Sequence, residues 1–232
     1  MNYPKHIAFI VDGNRRWAQK QGLPVIAGHK FVANQKIDEL IFHCLNLGIP
    51  YLTFWAFSTE NWKRGQDFAN AIFTILKELT QRNADKYNQA GIKLQTIGDL
   101  SKIPTDLVKA INEKAQASAQ NTKLTVTIAL NYGGRDEIVR AIKKMIKSGK
   151  YDQSNIENLT EEDFVQFLDT ASVPDPDLII RTGGEQRLSG FLSWQNQYSE
   201  LSFTQTLMPD LTTQELDQIL ADYSQRERRR GA

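Results

Sequence analysis

Six short apolar runs, rich in β-branched residues, alternate along the chain with longer amphipathic segments. Nearly continuous apolar runs of this kind are typical of strands that are buried on both faces of a sheet. A strand that is followed each time by a helix predicts a parallel sheet covered by helices on both sides. The predicted strands are residues 6–11, 51–57, 92–97, 124–131, 177–182 and 201–203.

The intervening segments carry apolar residues at steps of three and four, which predicts amphipathic helices. These segments are residues 28–47, 68–90, 104–120, 135–147 and 212–228. A further short helix is predicted after Thr160, because Thr-Glu-Glu-Asp is a capping-box pattern. The only plausible linker, residues 151–158, is too short to divide domains. We therefore expect a single α/β domain over residues 1–232, in which helices flank a central parallel sheet of about six strands.

The charge balance is nearly neutral, with 28 Lys and Arg against 27 Asp and Glu. It gives no general attraction to nucleic acid or to an anionic membrane, so any affinity for anions must come from local clusters. The single cysteine, Cys44, excludes a disulfide framework and a Cys-rich metal site. No apolar stretch approaches the roughly 20 residues of a membrane span, and no signal peptide is visible. We expect a cytoplasmic protein with no nucleic-acid partner and at most peripheral contact with a membrane.

Polar or glycine-rich clusters follow four of the predicted strands. Because open α/β sheets bind their ligands beyond the carboxyl ends of the strands, these clusters are expected to meet at one edge of the sheet. The clusters are Asp12-Gly13-Asn14-Arg15-Arg16-Trp17, Ser58-Thr59-Glu60-Asn61-Trp62-Lys63-Arg64, Asn131-Tyr132-Gly133-Gly134-Arg135 and Arg181-Thr182-Gly183-Gly184-Glu185. The sequence therefore predicts a binding site at this edge.

The first cluster suits a metal-bound phosphate. Asp12 follows a strand, and a carboxylate in that position can bind Mg2+ that also binds phosphate oxygens. A helix beginning near Arg15 would present free N–H groups to the same phosphate, and Arg15 and Arg16 add charge-assisted donors. The alternative is a turn in which Asp12 caps the helix and both arginines are solvated.

The fifth predicted strand leads into a glycine-rich loop between Arg181 and Arg187. Its glycines allow the backbone to approach an anion closely, as in anion-binding nests, although a simple turn with surface arginines is the alternative. The loop lacks the ending of a Walker loop and the spacing of a dinucleotide fingerprint. Glu200 could supply a second carboxylate for Mg2+, and His29 could bind phosphate or act in acid–base chemistry. A solvated Glu and a structural His are the alternatives.

Taken together and in this order, these segments resemble the undecaprenyl diphosphate synthase branch of the cis-prenyltransferases. The resemblance extends from His6 to Gly231. Its motifs are residues 12–18 (DGNRRWA), 28–30 (GHK), 57–62 (FSTENW), 131–135 (NYGGR), 181–187 (RTGGEQR), 194–195 (WQ) and 198–200 (YSE). It implies a Mg2+-dependent transferase that condenses isopentenyl diphosphate with an allylic diphosphate, such as farnesyl or geranyl diphosphate, into a (Z)-polyprenyl diphosphate.

The resemblance also implies a role for each matched residue. Asp12 is expected to bind Mg2+ at the allylic diphosphate, and Glu200 to be the second metal carboxylate. Asn61, or a substrate phosphate that it orients, is expected to take the last proton. The residues expected to bind the two substrates are Gly13, Asn14, Arg15, Arg16, Trp17, His29, Ser58, Thr59, Glu60, Trp62, Arg64, Arg181, Arg187 and Ser189. The last three of this set are expected at isopentenyl diphosphate.

A homodimer is implied as well, because the ending Arg229-Arg230-Gly231 matches a family tail that reaches the partner subunit's site. A growing prenyl chain also requires an apolar tunnel. Its predicted lining residues, which ordinary core packing would explain equally well, are Ile37, Ile41, Phe68, Ile72, Ile75, Leu76 and Leu79. The small Ala56 favours a longer product.

Three residues depart from the family pattern near the allylic site. Val25 stands where many relatives have an arginine, and Phe31 and Val32 follow Gly-His-Lys where small residues are usual. They leave the allylic substrate and the regiochemistry open, so a short-chain or irregular, head-to-middle synthase is one alternative. A non-catalytic partner subunit is another, disfavoured by the retained Asp12 and Arg181 loop. A generic nucleotide-binding module is a third, and it leaves the clusters at Asn61 and Glu200 unexplained.

Overall fold

Six parallel strands form the centre of the computed structural model, which describes residues 2–227. The strands are β1 His6–Ile10, β2 Tyr51–Ser58, β3 Ile92–Ile97, β4 Leu124–Tyr132, β5 Leu178–Arg181 and β6 Glu200–Phe203. Their order across the sheet is β3-β4-β2-β1-β5-β6, and each neighbouring pair is parallel. The predicted α/β fold with a six-stranded parallel sheet is confirmed, with strand ends that differ from the predicted ones by one residue at most.

Eight α-helices are found within residues 2–227. They are α1 Asn14–Lys20, α2 Val25–Phe31, α3 Ile37–Asn46, α4 Gln66–Gln89, α5 Thr105–Ala117, α6 Gly134–Ser148, α7 Glu161–Val165 and α8 Thr213–Gln225. The Thr160 hydroxyl accepts a hydrogen bond from the Asp163 N–H at the start of α7, which confirms the predicted cap. Of these helices, none has the combination of length and apolarity that crossing a bilayer requires.

The segment predicted as one helix over residues 28–47 differs from the prediction in two ways. It begins earlier, at Val25, and a π-helical turn, Val32–Lys36, lies between α2 and α3. Arg82 of α4 holds this turn, since its guanidinium donates to Asn34 Oδ1 at 2.8 Å and to the Ala33 carbonyl at 3.5 Å. Turns of this kind frequently occur at functional sites.

Helices and loops cover both faces of the sheet. In β1, Ile7 and Phe9 belong to the core that α3 and α8 cover, whereas Ala8 and Ile10 face the opposite side. This alternation follows from the strand period of two residues. On that opposite side Phe191, from the loop after β5, is fully buried. The central position of β1 therefore places whatever follows Ile10 in the middle of the carboxyl edge.

Candidate active site

A cavity of about 670 Å³ opens at the carboxyl edge of β1, β2 and β5 and continues between the helices and the sheet. Its mouth is polar. The polar and glycine residues that border it are Asp12, Gly13, Asn14, Arg15, Arg16, His29, Ser58, Glu60, Asn61, Arg64, Arg181, Glu185, Arg187 and Ser189. Three clusters that are far apart in sequence thus meet at the edge where the sequence predicts a site.

Asp12 lies at the centre of the mouth. Its Oδ2 forms an ion pair with Arg181 Nη2 at 2.9 Å, and its Oδ1 accepts a hydrogen bond from the Gly13 N–H at 2.6 Å. The buried Thr182 fixes the Asp12 backbone, because its hydroxyl accepts from the Asp12 N–H at 3.0 Å and donates to the Asp12 carbonyl at 2.7 Å. Arg16 Nη2 is 3.4 Å from Asp12 Oδ1. The carboxylate is therefore held between two arginines.

Arg181 connects the Asp12 side of the mouth to the loop after β5. Its side chain is only 7% exposed, and its Nη1 donates to the Arg187 carbonyl and to Ser189 Oγ. Its Nε is buried and has no hydrogen-bond partner within residues 2–227. The Arg187 guanidinium forms an ion pair with Glu185. Both arginines thus lie where a second anion can bind beside Asp12.

The segment after β2 presents an oriented amide to the cavity. Asn61 Oδ1 accepts a hydrogen bond from the Ser58 N–H at 3.0 Å, and the Ser58 side chain accepts from the Asn61 backbone in return. A backbone N–H can only donate, so the Asn61 atom that faces it must be oxygen. The Asn61 NH2 group, which makes no hydrogen bond within the described residues, is therefore the end available to a ligand.

His29 borders the cavity from α2. Its ring lies edge-on to Phe68, with 5.5 Å between centroids, and the Arg64 guanidinium lies over the same Phe68 ring at 5.1 Å. Burial lowers the pKa of His29 to about 4, so the ring is neutral at physiological pH. The helix approaches α1 closely at Gly28, where a Cβ would lie 2.0 Å from the Asn14 carbonyl oxygen. Only glycine can bring the two helices this close.

Below the mouth the cavity wall is apolar. It is bordered by Ile10, Val11, Val32, Ala33, Ile37, Phe54, Trp55, Ala56, Phe68, Ile72, Ile75, Leu76, Leu79 and Ile128. A second cavity of about 70 Å³ lies deeper, beside Ile41 and Tyr87, and shares Ile37, Leu76, Leu79 and Ile128 with the first. Every residue predicted to line a tunnel borders one of these two cavities. The four shared side chains form the junction between them.

Three residues predicted to bind substrate do not border the cavity. The Trp62 ring packs against Phe57 and Phe73 at 5.3 and 5.6 Å between centroids. The Thr59 hydroxyl donates to Glu60 Oε1 at 3.1 Å. The Trp17 ring stacks on Phe31 at 4.9 Å. Because of these contacts, Trp17, Thr59 and Trp62 are absent from the described residues that border the cavity.

Glu200 is not brought to Asp12 within one chain. It opens β6 and pairs in register with Leu178, the first residue of β5, whereas Asp12 follows the last residues of β1. Glu200 therefore lies at the amino edge of the sheet, about 10 Å along the strand direction from the level of Ile10. There Glu200 forms an ion pair with Arg226 at 2.8 Å. The predicted pair of metal carboxylates is therefore not assembled by one chain, and the predicted tail Arg229-Arg230-Gly231 lies outside the described residues.

Several residues of the site were not predicted from the sequence. Thr182 and Glu185 stand inside the recognised loop motif, so their positions carried a usable signal. Trp55 was not predicted either, and it borders the cavity together with Ala56 although the two are adjacent in a strand. A register shift between Trp55 and Phe57 in the β2–β4 pairing allows this, and no pattern in the sequence marks it.

The mouth fits Mg2+ only together with a phosphate ligand. Within residues 2–227 no group of three or more His, Cys, Asp or Glu side chains is arranged to hold a metal ion. The Asp12 carboxylate, however, is 31% exposed at the mouth. Mg2+ is commonly bound by one or two carboxylates, substrate phosphates and water, so Asp12 can hold it once a diphosphate supplies further oxygens.

Comparison with known proteins agrees with this geometry. A family model described as "Putative undecaprenyl diphosphate synthase" matches residues 10–231. The chain is 46% identical to an isoprenyl transferase of Clostridium perfringens, over 98% of this chain and 90% of that protein. It is 42% identical to an isoprenyl transferase of Aquifex pyrophilus, over 100% of this chain and 97% of the relative.

Two solved structures share the fold over almost their whole length. One is lavandulyl diphosphate synthase from Lavandula x intermedia in complex with dimethylallyl diphosphate, with a TM-score of 0.93, 34% identity and 99% of each chain covered. The other is a probable undecaprenyl diphosphate synthase from Campylobacter jejuni, with a TM-score of 0.81, 34% identity and 100% of each chain covered.

Proposed function

The chain belongs to the prenyltransferase family of undecaprenyl diphosphate synthase-like proteins, and from that membership we propose that it is a Mg2+-dependent cis-prenyltransferase. Its substrates would be isopentenyl diphosphate and an allylic diphosphate such as farnesyl or geranyl diphosphate. Its product would be a (Z)-polyprenyl diphosphate of the undecaprenyl type.

One observation carries the proposal: two anion-binding groups meet at the polar mouth of an apolar cavity. Asp12 and Arg16 form one group, Arg181 and Arg187 the other, and the Asp12–Arg181 ion pair of 2.9 Å joins them. Two diphosphates bound there would lie side by side, with a prenyl chain extending into the apolar part. Holding both reactants in one geometry removes much of the entropic barrier to their condensation.

The residues at the Asp12 side suit the departure of diphosphate. When the allylic C–O bond breaks, the electron pair leaves with the diphosphate, and Mg2+ bound there would supply Lewis-acid stabilisation of that charge. Asp12 would hold the metal. Arg16 would donate to the leaving oxygens, as would the free N–H groups in the first turn of α1. The neutral His29 can accept or donate one hydrogen bond there without adding charge.

The residues at the Arg181 side suit isopentenyl diphosphate. Arg187 and Ser189 would bind its diphosphate, while its double bond forms the new C–C bond and C2 then loses a proton. Asn61 presents an NH2 group, which donates hydrogen bonds and does not accept protons. Of the two proton acceptors expected from the sequence, a phosphate oxygen oriented by Asn61 is therefore the one we propose.

We propose a homodimer as the active form, because Glu200 can join an Asp12 site only from a second copy. The tail with Arg229, Arg230 and Gly231 would reach the same partner site. We further propose a cytoplasmic enzyme whose contact with a membrane is peripheral, since a long prenyl product must pass into a bilayer.

The short-chain or irregular synthase remains the second candidate, and one observation favours it. A solved structure with a TM-score of 0.93 to this chain is lavandulyl diphosphate synthase with the five-carbon ligand dimethylallyl diphosphate. In such a reaction the second substrate would also be allylic. Val32, one of the departures from the family pattern, borders the apolar part of the cavity.

Incubation of the purified protein with Mg2+ and defined diphosphates tests both candidates. Isopentenyl diphosphate would be supplied with dimethylallyl, geranyl or farnesyl diphosphate, and the products sized by mass spectrometry. We expect long products that require isopentenyl diphosphate. A product formed from dimethylallyl diphosphate alone would establish the irregular synthase instead, and absence of product from every combination would indicate the non-catalytic subunit.

A further inference from the structure

The turn of residues 131–134, where β4 ends and α6 begins, belongs to a sequence motif that the proposed chemistry leaves without a role. None of its residues is among the described residues that border the cavity. It nevertheless contacts two segments that do. On one side lies the segment after β2 with Ser58 and Asn61, and on the other the loop after β5 with Arg187 and Ser189.

Asn131 holds the first of these segments through its side chain. It is 3% exposed, and its Oδ1 accepts a hydrogen bond from Trp62 Nε1 at 2.8 Å. Its Nδ2 donates to the Asp99 carbonyl at 2.7 Å. The residue has a φ of 49°, a left-handed conformation that asparagine adopts more readily than most residues. Both ends of the amide are therefore committed, and they fix Trp62 one residue after Asn61.

Gly133 fixes the same segment by close contact. A Cβ at this position would lie 2.5 Å from Thr59 Oγ1, too near for any real side chain, whereas Thr59 Cβ would be 3.6 Å away. Thr59 follows Ser58 directly. An alanine at position 133 would therefore have to displace the hydroxyl oxygen of Thr59.

Gly134 holds the second segment. Its N–H donates to the Gly190 carbonyl at 2.8 Å, and a Cβ here would lie 2.4 Å from Ser193 Oγ. Gly190 follows Ser189, which has a φ of 53° and accepts a hydrogen bond from Arg181. The neighbouring Tyr132 ring meets Phe191 edge-on at 6.1 Å. The loop is therefore anchored immediately beside its substrate-facing serine.

We propose that the 131–134 turn positions two substrate-binding segments relative to each other, by fixing the distance between Asn61 and Ser189. This inference rests on the proposed function for its chemical meaning. Its residues would touch neither substrate. A small displacement of the turn would move both segments and would lower the rate of condensation while each diphosphate still binds, because rates depend steeply on the alignment of reactants.

The first test is Gly133→Ala with its compensating partner. We expect kcat to fall by about 100-fold in Gly133→Ala, with KM for both diphosphates changed by less than about 3-fold. In the Thr59→Ala background the new Cβ meets only ordinary contacts, so Gly133→Ala should then cost little relative to Thr59→Ala alone. Equal losses in the two backgrounds would overturn the proposal. So would a loss confined to KM.

A second variant, Trp62→Phe, removes the indole donor but keeps an aromatic ring against Phe57 and Phe73. We expect the same loss of kcat without loss of binding. Leu216→Ala, which truncates a buried side chain of α8, serves as a control that lowers stability away from the turn. If that control lowers kcat as much as Trp62→Phe does at equal loss of melting temperature, the effect is one of stability and the proposal is wrong.

Hydrogen–deuterium exchange separates this inference from the proposed function. In Gly133→Ala we expect faster exchange both in residues 59–64 and in residues 188–193, although these segments are far apart in sequence. Faster exchange in one segment only would overturn the positioning role whatever the activity. If both segments respond but the wild-type protein forms no prenyl product, the proposed function fails and the mechanical link stands.

Discussion

Asp12 and Arg181 form an ion pair, with 2.9 Å between Oδ2 and Nη2, across the boundary between the two halves of the cavity mouth. The Arg181 guanidinium is nearly buried, and its Nη1 donates a hydrogen bond to Ser189 Oγ. A ligand that binds Asp12 or Arg181 must therefore compete with this existing ion pair.

Asp12→Asn should lower kcat by at least about 1000-fold, because the neutral amide cannot hold Mg2+ against diphosphate. The variant should still fold, since Asn retains an acceptor for the Gly13 N–H. Product formation and circular dichroism would be measured together. Asp106→Asn, which alters an exposed carboxylate paired with Lys77, is the matched control. Near-normal turnover by Asp12→Asn would refute the assignment of the metal site.

Arg187→Ala should raise KM for isopentenyl diphosphate by about 10- to 100-fold, the loss expected for one or two charge-assisted hydrogen bonds. KM for the allylic substrate should change little, since Arg187 lies on the Arg181 side of the mouth. Steady-state kinetics with each substrate varied in turn gives both values. An effect on the allylic substrate alone would mean that the two sub-sites are reversed.

Two opposite substitutions of Leu79 test the junction between the cavities. Leu79 borders both cavities, so Leu79→Phe should obstruct the passage and shorten the final product by at least one isoprene unit. Leu79→Ala should widen it and lengthen the product. Mass spectrometry of the products gives the lengths. Unchanged product length in both variants would show that the chain does not pass this junction.

Mixing two impaired variants tests the proposed role of Glu200. Glu200 and Asp12 lie at opposite edges of the sheet within one chain. Glu200→Ala should therefore lower activity by at least about 10-fold, because the metal site of the partner subunit would lose one carboxylate. Co-refolded Asp12→Ala and Glu200→Ala should regain activity, since one site of the mixed dimer has both carboxylates. If the mixture stays inactive although mixed dimers are present, the two residues do not act across subunits.

Stability should fall in mild acid because of His6. Burial lowers the pKa of this 2% exposed ring to about 4, from an ordinary value of 6.5. The unfolded chain takes up a proton near pH 6.5 and the native chain does not, so stability is full above that pH. It declines as pH falls towards 4, by up to about 3 kcal/mol.

Urea unfolding at about pH 7.5 and about pH 5 would measure this effect. His6→Gln should weaken the pH dependence, because glutamine does not titrate. His29, whose pKa is also lowered by burial, contributes in the same direction and remains in the variant. An identical pH dependence in the variant and the wild type would contradict the prediction.

The sequence was most informative where chemistry is local to a strand end. Ser58 and Arg181 end β2 and β5, Asp12 lies two residues after the end of β1, and parallel strands place such residues at one edge. Glu200 stands before its strand, so the same rule puts it at the amino edge. The position of Glu200 relative to its strand could thus be predicted from the sequence, whereas the resemblance to a family indicates only its expected role.

Other features depend on contacts between distant residues and leave no local pattern. The Trp62 side chain donates to Asn131, 69 positions later, so its burial behind the cavity could not be read from the motif around it. The register shift beside Ala56 arises from the pairing of β2 with β4. Apolar periodicity alone also cannot distinguish a π turn from an α-helical one.

The π turn Val32–Lys36 has a consequence for how this chain tolerates insertions and deletions. Such a turn is equivalent to one additional residue in an α-helix, and one residue corresponds to about 100° of rotation. The π turn absorbs that residue, so a deletion that restored a regular helix would keep α2 and α3 in phase, whereas winding the same residues as a regular α-helix would rotate α3 relative to α2 by about 100°. His29, which belongs to the polar mouth, and Ile37, which belongs to the apolar wall, would then no longer face the same space. The π conformation of this turn is thus as much a part of the site as the identity of its side chains.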